Sequence, residues 1–280
     1  MKFGFVMPPL DPREAVAFAV EAEVAGWDGL FLSESMWSVD AWVCLAAAAE
    51  RTERIRLGTM LTPLSTMRPW KLAAEAATVD RLSGGRVIVT VGMGAPDTGF
   101  AGWGEATDLR TRAELVDEGL AIVRKCWAGE PFRFKGKHYD IDASSFPLAV
   151  PTPLQQPGIP IWVVGAWPRP KSMRRALEAD GVVPYVVPKD EAGRPPDPED
   201  IRAIKTWLEE RGGGPEQNTR RASPYDIVVE GQTPGEDPER CAEIIQEWEA
   251  AGATWWIESW WGAEAERVKR LRQGPARITS

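Results

Sequence analysis

Along the 280 residues, short apolar runs alternate with longer segments in which apolar positions recur every three or four places. Eight of the short runs read as strands: Phe3–Met7, Gly29–Leu32, Ile55–Thr59, Val87–Val91, Ile161–Val164, Gly181–Val186, Tyr225–Glu230 and Trp255–Glu258. They are apolar at consecutive positions and rich in β-branched residues, as strands buried on both faces of a parallel sheet are. The segments between them carry helix signals. Asp11-Pro12, Asp197-Pro198 and Asp237-Pro238 each set a capping carboxylate before a first-turn proline. Glu14 and Asp200 stand three residues beyond their caps, Glu14 in the capping-box position. Gly26 and Gly252 read as left-handed helix stops. Eight such units favour closure over an open doubly wound sheet. The expected fold is an α/β (β/α)8 TIM barrel, one domain over residues 1–280. Three stretches, about 95–111, 129–160 and 189–198, break the rhythm and read as loop insertions.

The net charge of −8, with Lys and Arg spread along the chain, argues against nucleic acid or an anionic membrane as partner. No apolar stretch is long enough to span a bilayer, and the chain enters a strand directly from Met1, so a cytoplasmic location is expected. Cys44, Cys126 and Cys241 are scattered over predicted helices, which suits buried thiols in a reducing compartment. His138, the one histidine, falls in a predicted hairpin, so no metal site is expected. Fourteen tryptophans is a high count, and several follow predicted strands, where a flat aromatic ligand would need them.

Arg68-Pro69 opens a run through Leu72, Ala76 and Asp80 to the turn Ser83-Gly84-Gly85-Arg86, and then to Val91-Gly92-Met93-Gly94. Further on stand Gly129-Glu130-Pro131-Phe132, with Gly136 and Tyr139, and the segment from Pro151 through Pro153 and Pro160 to Val163. Together these resemble the luciferase-like flavin monooxygenase family. The likeness is clear to about residue 186 and weak beyond it.

That resemblance implies a cofactor, FMN or the deazaflavin coenzyme F420, at the C-terminal mouth of the barrel. It assigns Thr59, Met60, Leu61 and Thr62 to the ring site, with a non-proline cis peptide at Met60–Leu61. It adds Gly92, Met93 and Gly94 at the end of strand four, where bare backbone admits a flat ring. Gly165, Ala166, Trp167 and Arg169 are implied as the loop holding the cofactor phosphate, beside the start of a helix. Lys171, Arg174 and Arg175 follow closely, as further ligands or as a solvated face.

Deazaflavin sugar-phosphate dehydrogenases of the family carry a His after strand two and a Glu after strand four. The matching places here hold Ser33-Glu34-Ser35 and Ala95. Glu34 is then the candidate catalytic carboxylate, or else a salt-bridge partner. Trp37, Trp103, Tyr185 and Trp260 are expected to wall a substrate pocket for a small apolar or aromatic molecule. The expected function is a monooxygenase using reduced flavin and oxygen, with a separate flavin reductase as candidate partner. The alternatives are a deazaflavin-dependent hydride-transfer enzyme, a non-catalytic flavin-binding barrel, and a lyase using Lys189. A homo-oligomer, most simply a dimer, is expected.

Overall fold

The structure, a computed structural model, describes residues 1–8, 11–35, 38–95, 99–145, 152–189, 192–211 and 224–276. Each of the eight apolar runs forms a strand: β1 (Lys2–Met7), β2 (Gly29–Leu32), β3 (Arg56–Thr59), with its continuation β4 (Thr62–Pro63), β5 (Val87–Gly92), β8 (Ile161–Trp167), β9 (Gly181–Val186), β10 (Asp226–Gly231) and β11 (Trp255–Ser259). All their pairings are parallel, and β1 pairs with both β2 and β11, which closes the cylinder. The remaining short strands, β6 (Arg133–Lys135) and β7 (Asp140–Asp142), form an outlying antiparallel hairpin.

Among the described residues eight α-helices surround the barrel: α1 (Pro12–Val24), α2 (Ala41–Ala49), α3 (Pro69–Leu82), α4 (Leu109–Ala128), α5 (Pro170–Leu177), α6 (Pro198–Glu210), α7 (Pro238–Ala251) and α8 (Glu264–Gln273). Asp11, Asp197 and Asp237 cap α1, α6 and α7 as expected. The capping box is elsewhere than expected. Asp200 Oδ2 accepts from the Asp197 backbone N–H at 2.9 Å, steadied by Arg194, whereas Glu14 is exposed and makes no such bond. Both Gly26 (φ 89°) and Gly252 (φ 111°) take the left-handed conformation. None of the described helices is long and apolar enough to cross a membrane.

Two departures bear on the site. Strand five runs on through Gly165, Ala166 and Trp167, residues expected in a loop, because parallel pairing with β9 continues to Trp167↔Val186. Pro168, which has no N–H to donate, then ends it. Strand three is interrupted instead. Gly58 pairs with Ile88, but Thr62 pairs with Val91, so four residues on one strand advance against three on the other. The extra residue is a bulge at the mouth, and its Met60–Leu61 peptide is cis.

Alternation sorts the side chains. Val6, Phe31, Met60, Ile88, Trp162 and Trp255 belong to a cluster inside the barrel, separate from the larger core between strands and helices. Gly58 lies where these rings press closest to backbone. A Cβ there would stand 2.2 Å from the Ile88 carbonyl oxygen and 3.1 Å from the Phe31 ring. Gly58→Ala should therefore force β3 from β5 and lower stability by about 2 kcal/mol. Urea unfolding checks this; a loss below about 0.5 kcal/mol would mean that the strand yields freely.

Candidate functional site at the barrel mouth

The parity that buries Val228 and Trp255 inside the barrel also fixes which residues reach the C-terminal rim. Above the aromatic filling, Leu61, Gly92, Val164 and Ala166 form the next level. A Cβ on Gly92 would lie 2.9 Å from Leu61 and 3.2 Å from Val164, so these three surfaces meet at van der Waals range. Leu61, Val164 and Ala166 are each partly exposed, which makes an apolar floor open to the mouth, while Met93 packs on the outer core. Gly94 has φ 70°, and its missing Cβ makes room for Phe100 and Pro63. The residues present thus fit a flat ring laid on strand ends four and five.

Behind the bulge runs a chain of hydroxyls. Thr62 Oγ1 donates to Glu34 Oε2 at 2.5 Å, and Thr59 Oγ1 lies 2.8 Å from Thr62 Oγ1. With Glu34 ionised, Thr62 spends its only proton on the carboxylate, so Thr59 donates to Thr62. Both threonines are fully buried and point away from the lumen, since Gly58, next to Thr59, faces it and Thr62 pairs with Val91 of the outer core. Glu34 therefore fastens the ring-side bulge from its outer side. Burial pushes its carboxyl up to about 7; the Thr62 bond opposes this, and the nearby Glu75 and Asp40 charges add to it.

Arg112 of α4 has the corresponding role behind strand four. It is 1% exposed and donates through Nη2 to the Met93 carbonyl at 2.5 Å and to that of Gly94. Its guanidinium sits 4.9 Å above the Phe100 ring, and burial lowers its pKa. No hydrogen-bond partner of Nε or Nη1 is found among the described residues. Sequence reasoning passed over it, although Arg112 falls on the apolar stripe with Val116, Gly119, Leu120 and Val123, where a charge is out of place.

The expected phosphate loop is now divided. Gly165 faces α5, where a Cβ would meet Val182 and Met173, and Trp167 packs edge-on against Trp207 of α6. Ala166 turns to the mouth, its N–H held by Ser172 Oγ at 2.9 Å. Helix α5 begins without a side-chain cap, so its first turn offers N–H groups at Lys171 and Ser172. Arg169, Lys171 and Arg174 are exposed beside it. Arg175 is removed from that group: it pairs with Asp117 at 2.7 Å on the core side.

Of the residues expected to form an aromatic wall, Trp103 and Trp260 do not line the mouth. Trp103 is 63% exposed on a short 3-10 turn. Trp260 donates to Glu258 Oε1 at 2.7 Å, and Glu258 is an outward-facing residue buried against Thr233 and Arg270. Trp37 lies outside the described residues. Tyr185 does face the mouth, 43% exposed, with Gly193 packed on its ring. Two further inward residues at this level, Glu230 and Ser259, escaped sequence reasoning, because a strand apolar on both faces does not reveal its inner side.

A closed (β/α)8 barrel with a flat floor and an uncapped helix at its mouth is a cofactor-site architecture. The profile of the luciferase-like monooxygenase family matches residues 1–197, and the chain belongs to that family. An F420-dependent glucose-6-phosphate dehydrogenase of Amycolatopsis mediterranei is 32% identical over 171 residues, 56% of this chain and 49% of that protein. A putative coenzyme F420-dependent oxidoreductase of Mycobacterium tuberculosis is 39% identical over 135 residues, 47% of this chain and 37% of that one. The chain thus matches about half the length of these curated relatives, or less. Two solved structures share the fold over nearly the whole chain. The coenzyme F420-dependent tetrahydromethanopterin reductase from Methanopyrus kandleri has TM-score 0.77 and 18% identity, covering 97% of this chain and 96% of its own. A monooxygenase from Streptomyces bottropensis has TM-score 0.78 and 20% identity, covering 98% and 97%.

The raised Glu34 carboxyl has a consequence for stability. Unfolded, it returns to its ordinary value near 4.5. Its contribution is therefore fully present below about pH 4.5 and is lost as pH rises through about 7. Glu75, Asp226 and Glu230 are raised by burial and act in the same sense. Glu34→Gln keeps an acceptor for Thr62 and removes the charge. It should raise stability at pH 8 by about 1–2 kcal/mol, after allowance for solvent screening, and change little at pH 4.5. Denaturant unfolding at the two pH values reads this directly; equal effects at both would contradict the assignment.

Proposed function

We propose that the protein is an oxidoreductase that binds a flavin-type cofactor at the barrel mouth, and that this cofactor is a deazaflavin serving hydride transfer. The observation that carries the reading is the mouth itself: an apolar floor for a ring, with a rim that, among the described residues, is polar rather than sealed by tryptophan. Oxygen chemistry on a flavin needs a water-excluding pocket to protect its reactive species. Trp103 in solvent and Trp260 turned to Glu258 leave that seal unbuilt by the residues expected to form it. Hydride transfer between a carbon centre and a deazaflavin makes no such demand. The names of the two curated relatives support the same choice.

When bound, the deazaflavin supplies the hydride acceptor or donor. The chain supplies the rest. Leu61 and Val164 give the ring an apolar seat, and Gly92 keeps that seat flat. Thr59, Thr62 and Glu34 fix the bulge from behind, and Arg112 fixes the carbonyls of Met93 and Gly94. The first turn of α5, with Arg169 and Lys171, receives the phosphate through free N–H groups and positive charge.

Titration of the purified protein with the deazaflavin and with FMN tests the choice. Tighter deazaflavin binding, and turnover that proceeds without oxygen, are expected. Preference for FMN with oxygen-dependent turnover would overturn it in favour of a monooxygenase. The phosphate site has its own check. Arg169→Ala should weaken FMN by about 1.5–3 kcal/mol, roughly ten- to a hundredfold or more, and leave riboflavin unchanged. Equal weakening of both ligands would remove Arg169 from the phosphate.

A further inference from the structure

We infer that Glu230, and not Glu34, is the carboxylate that takes and returns the substrate proton at this site. The inference rests on the hydride-transfer reading and names the residue that completes it. Strand β10 shows three residues of one parity. Asp226 Oδ2 accepts from the lumenal Trp162 indole at 3.2 Å, and Val228 belongs to the inner cluster with no exposure. Glu230 is the third, one level higher, where β10 reaches the rim. Of the three it is the most exposed to solvent.

The groups facing Glu230 are few. Ser259 of β11 has the lumenal parity of Trp255 and Ile257, and its hydroxyl lies against the Glu230 carboxyl. Tyr185 of β9 shares the rim. Glu258 points outward and is held by Arg270, Thr233 and the indoles of Trp256 and Trp260. Gln232 donates to the Ser259 carbonyl at 2.9 Å. Arg194 is engaged by Asp200. Asp226 is two levels below, bonded to Trp162 and Thr254. Among the described residues no cation contributes to the environment of Glu230, and burial in the mouth raises its carboxyl above the ordinary range. Glu34 is tied to Thr62 on the far side of the bulge, and so cannot serve the mouth without releasing it.

In the oxidation of a secondary alcohol, the C–H bond breaks and its hydride passes to the oxidised deazaflavin. The O–H bond breaks and its proton passes to Glu230, leaving a C=O double bond. The reverse reaction returns both. A carboxylate at the rim, with no cation beside it among the described residues, suits neutral hydroxyl compounds and repels anions such as sugar phosphates.

The test uses Glu230→Gln with 2-propanol as the probe. Deazaflavin affinity should stay within about twofold of the unsubstituted protein. Turnover should fall by about 100-fold or more, the scale of a lost general base. The limb along which oxidation slows as pH falls through the Glu230 titration should vanish. Unchanged turnover and pH profile would overturn the inference. A second readout is independent of turnover. With carboxyl-labelled glutamate, the carbon resonance missing from Glu230→Gln should titrate above the ordinary range and shift when 2-propanol is added to the deazaflavin complex. If the complex forms but turns over no alcohol, the hydride-transfer reading fails. A still resonance then removes Glu230 from substrate contact as well, whereas a shifting one retains it.

Discussion

Three rings packed inside a closed barrel set the terms for the rest of this molecule. Phe31, Trp162 and Trp255 lie with centroids 5.1–6.1 Å apart and occupy the lower lumen. They fit because glycine stands opposite them. A Cβ on Gly4 or Gly29 would come within 2.9 Å of Phe31, and one on Gly181 within 2.5 Å of Trp162. Large rings against bare backbone give a dense core without displacing strands. They also block the lumen from below, so a ligand can be met only at the upper rim. The positions of Leu61, Gly92 and Val164 follow from that filling.

How far the sequence revealed this depended on which force wrote each feature. Strands buried on both faces must be apolar throughout, and helices must be capped, so element order and closure were readable. The same two-sided burial hid the inner face. Val228 and Val229 look alike in the sequence, and only closure decides that Val228, and hence Glu230, turns inward. Tryptophan was misleading for a related reason. Its position after a strand suggested a pocket wall, but the indole N–H needs an acceptor, and Glu258 behind the barrel supplied one to both Trp256 and Trp260. The family-like segment Arg68–Gly94 pointed to the mouth at strand four, yet Arg112, which holds the carbonyls at its end, lay outside that segment and was overlooked.

Charge placement around the mouth completes the physical argument. The buried cations stand behind the wall, where backbone or carboxylate partners take up their charge. Arg112 holds strand-end carbonyls, Arg175 holds Asp117, and Arg270 holds Glu258 and the Gly274 carbonyl. Exposed basic groups gather beside the start of α5, where Arg169 also donates to the Pro188 carbonyl. The rim is therefore polarised, with N–H groups and cations where β8 meets α5 and the Glu230 carboxylate, set against the Ser259 hydroxyl, at the end of β10. A ligand bearing a phosphate at one end and a proton-exchanging centre at the other has one favourable orientation in such a field. That field is fixed by helix starts and strand parity, neither of which needs to move when the ligand arrives. Such preorganisation is how a rigid barrel can contribute to chemistry that the cofactor itself performs.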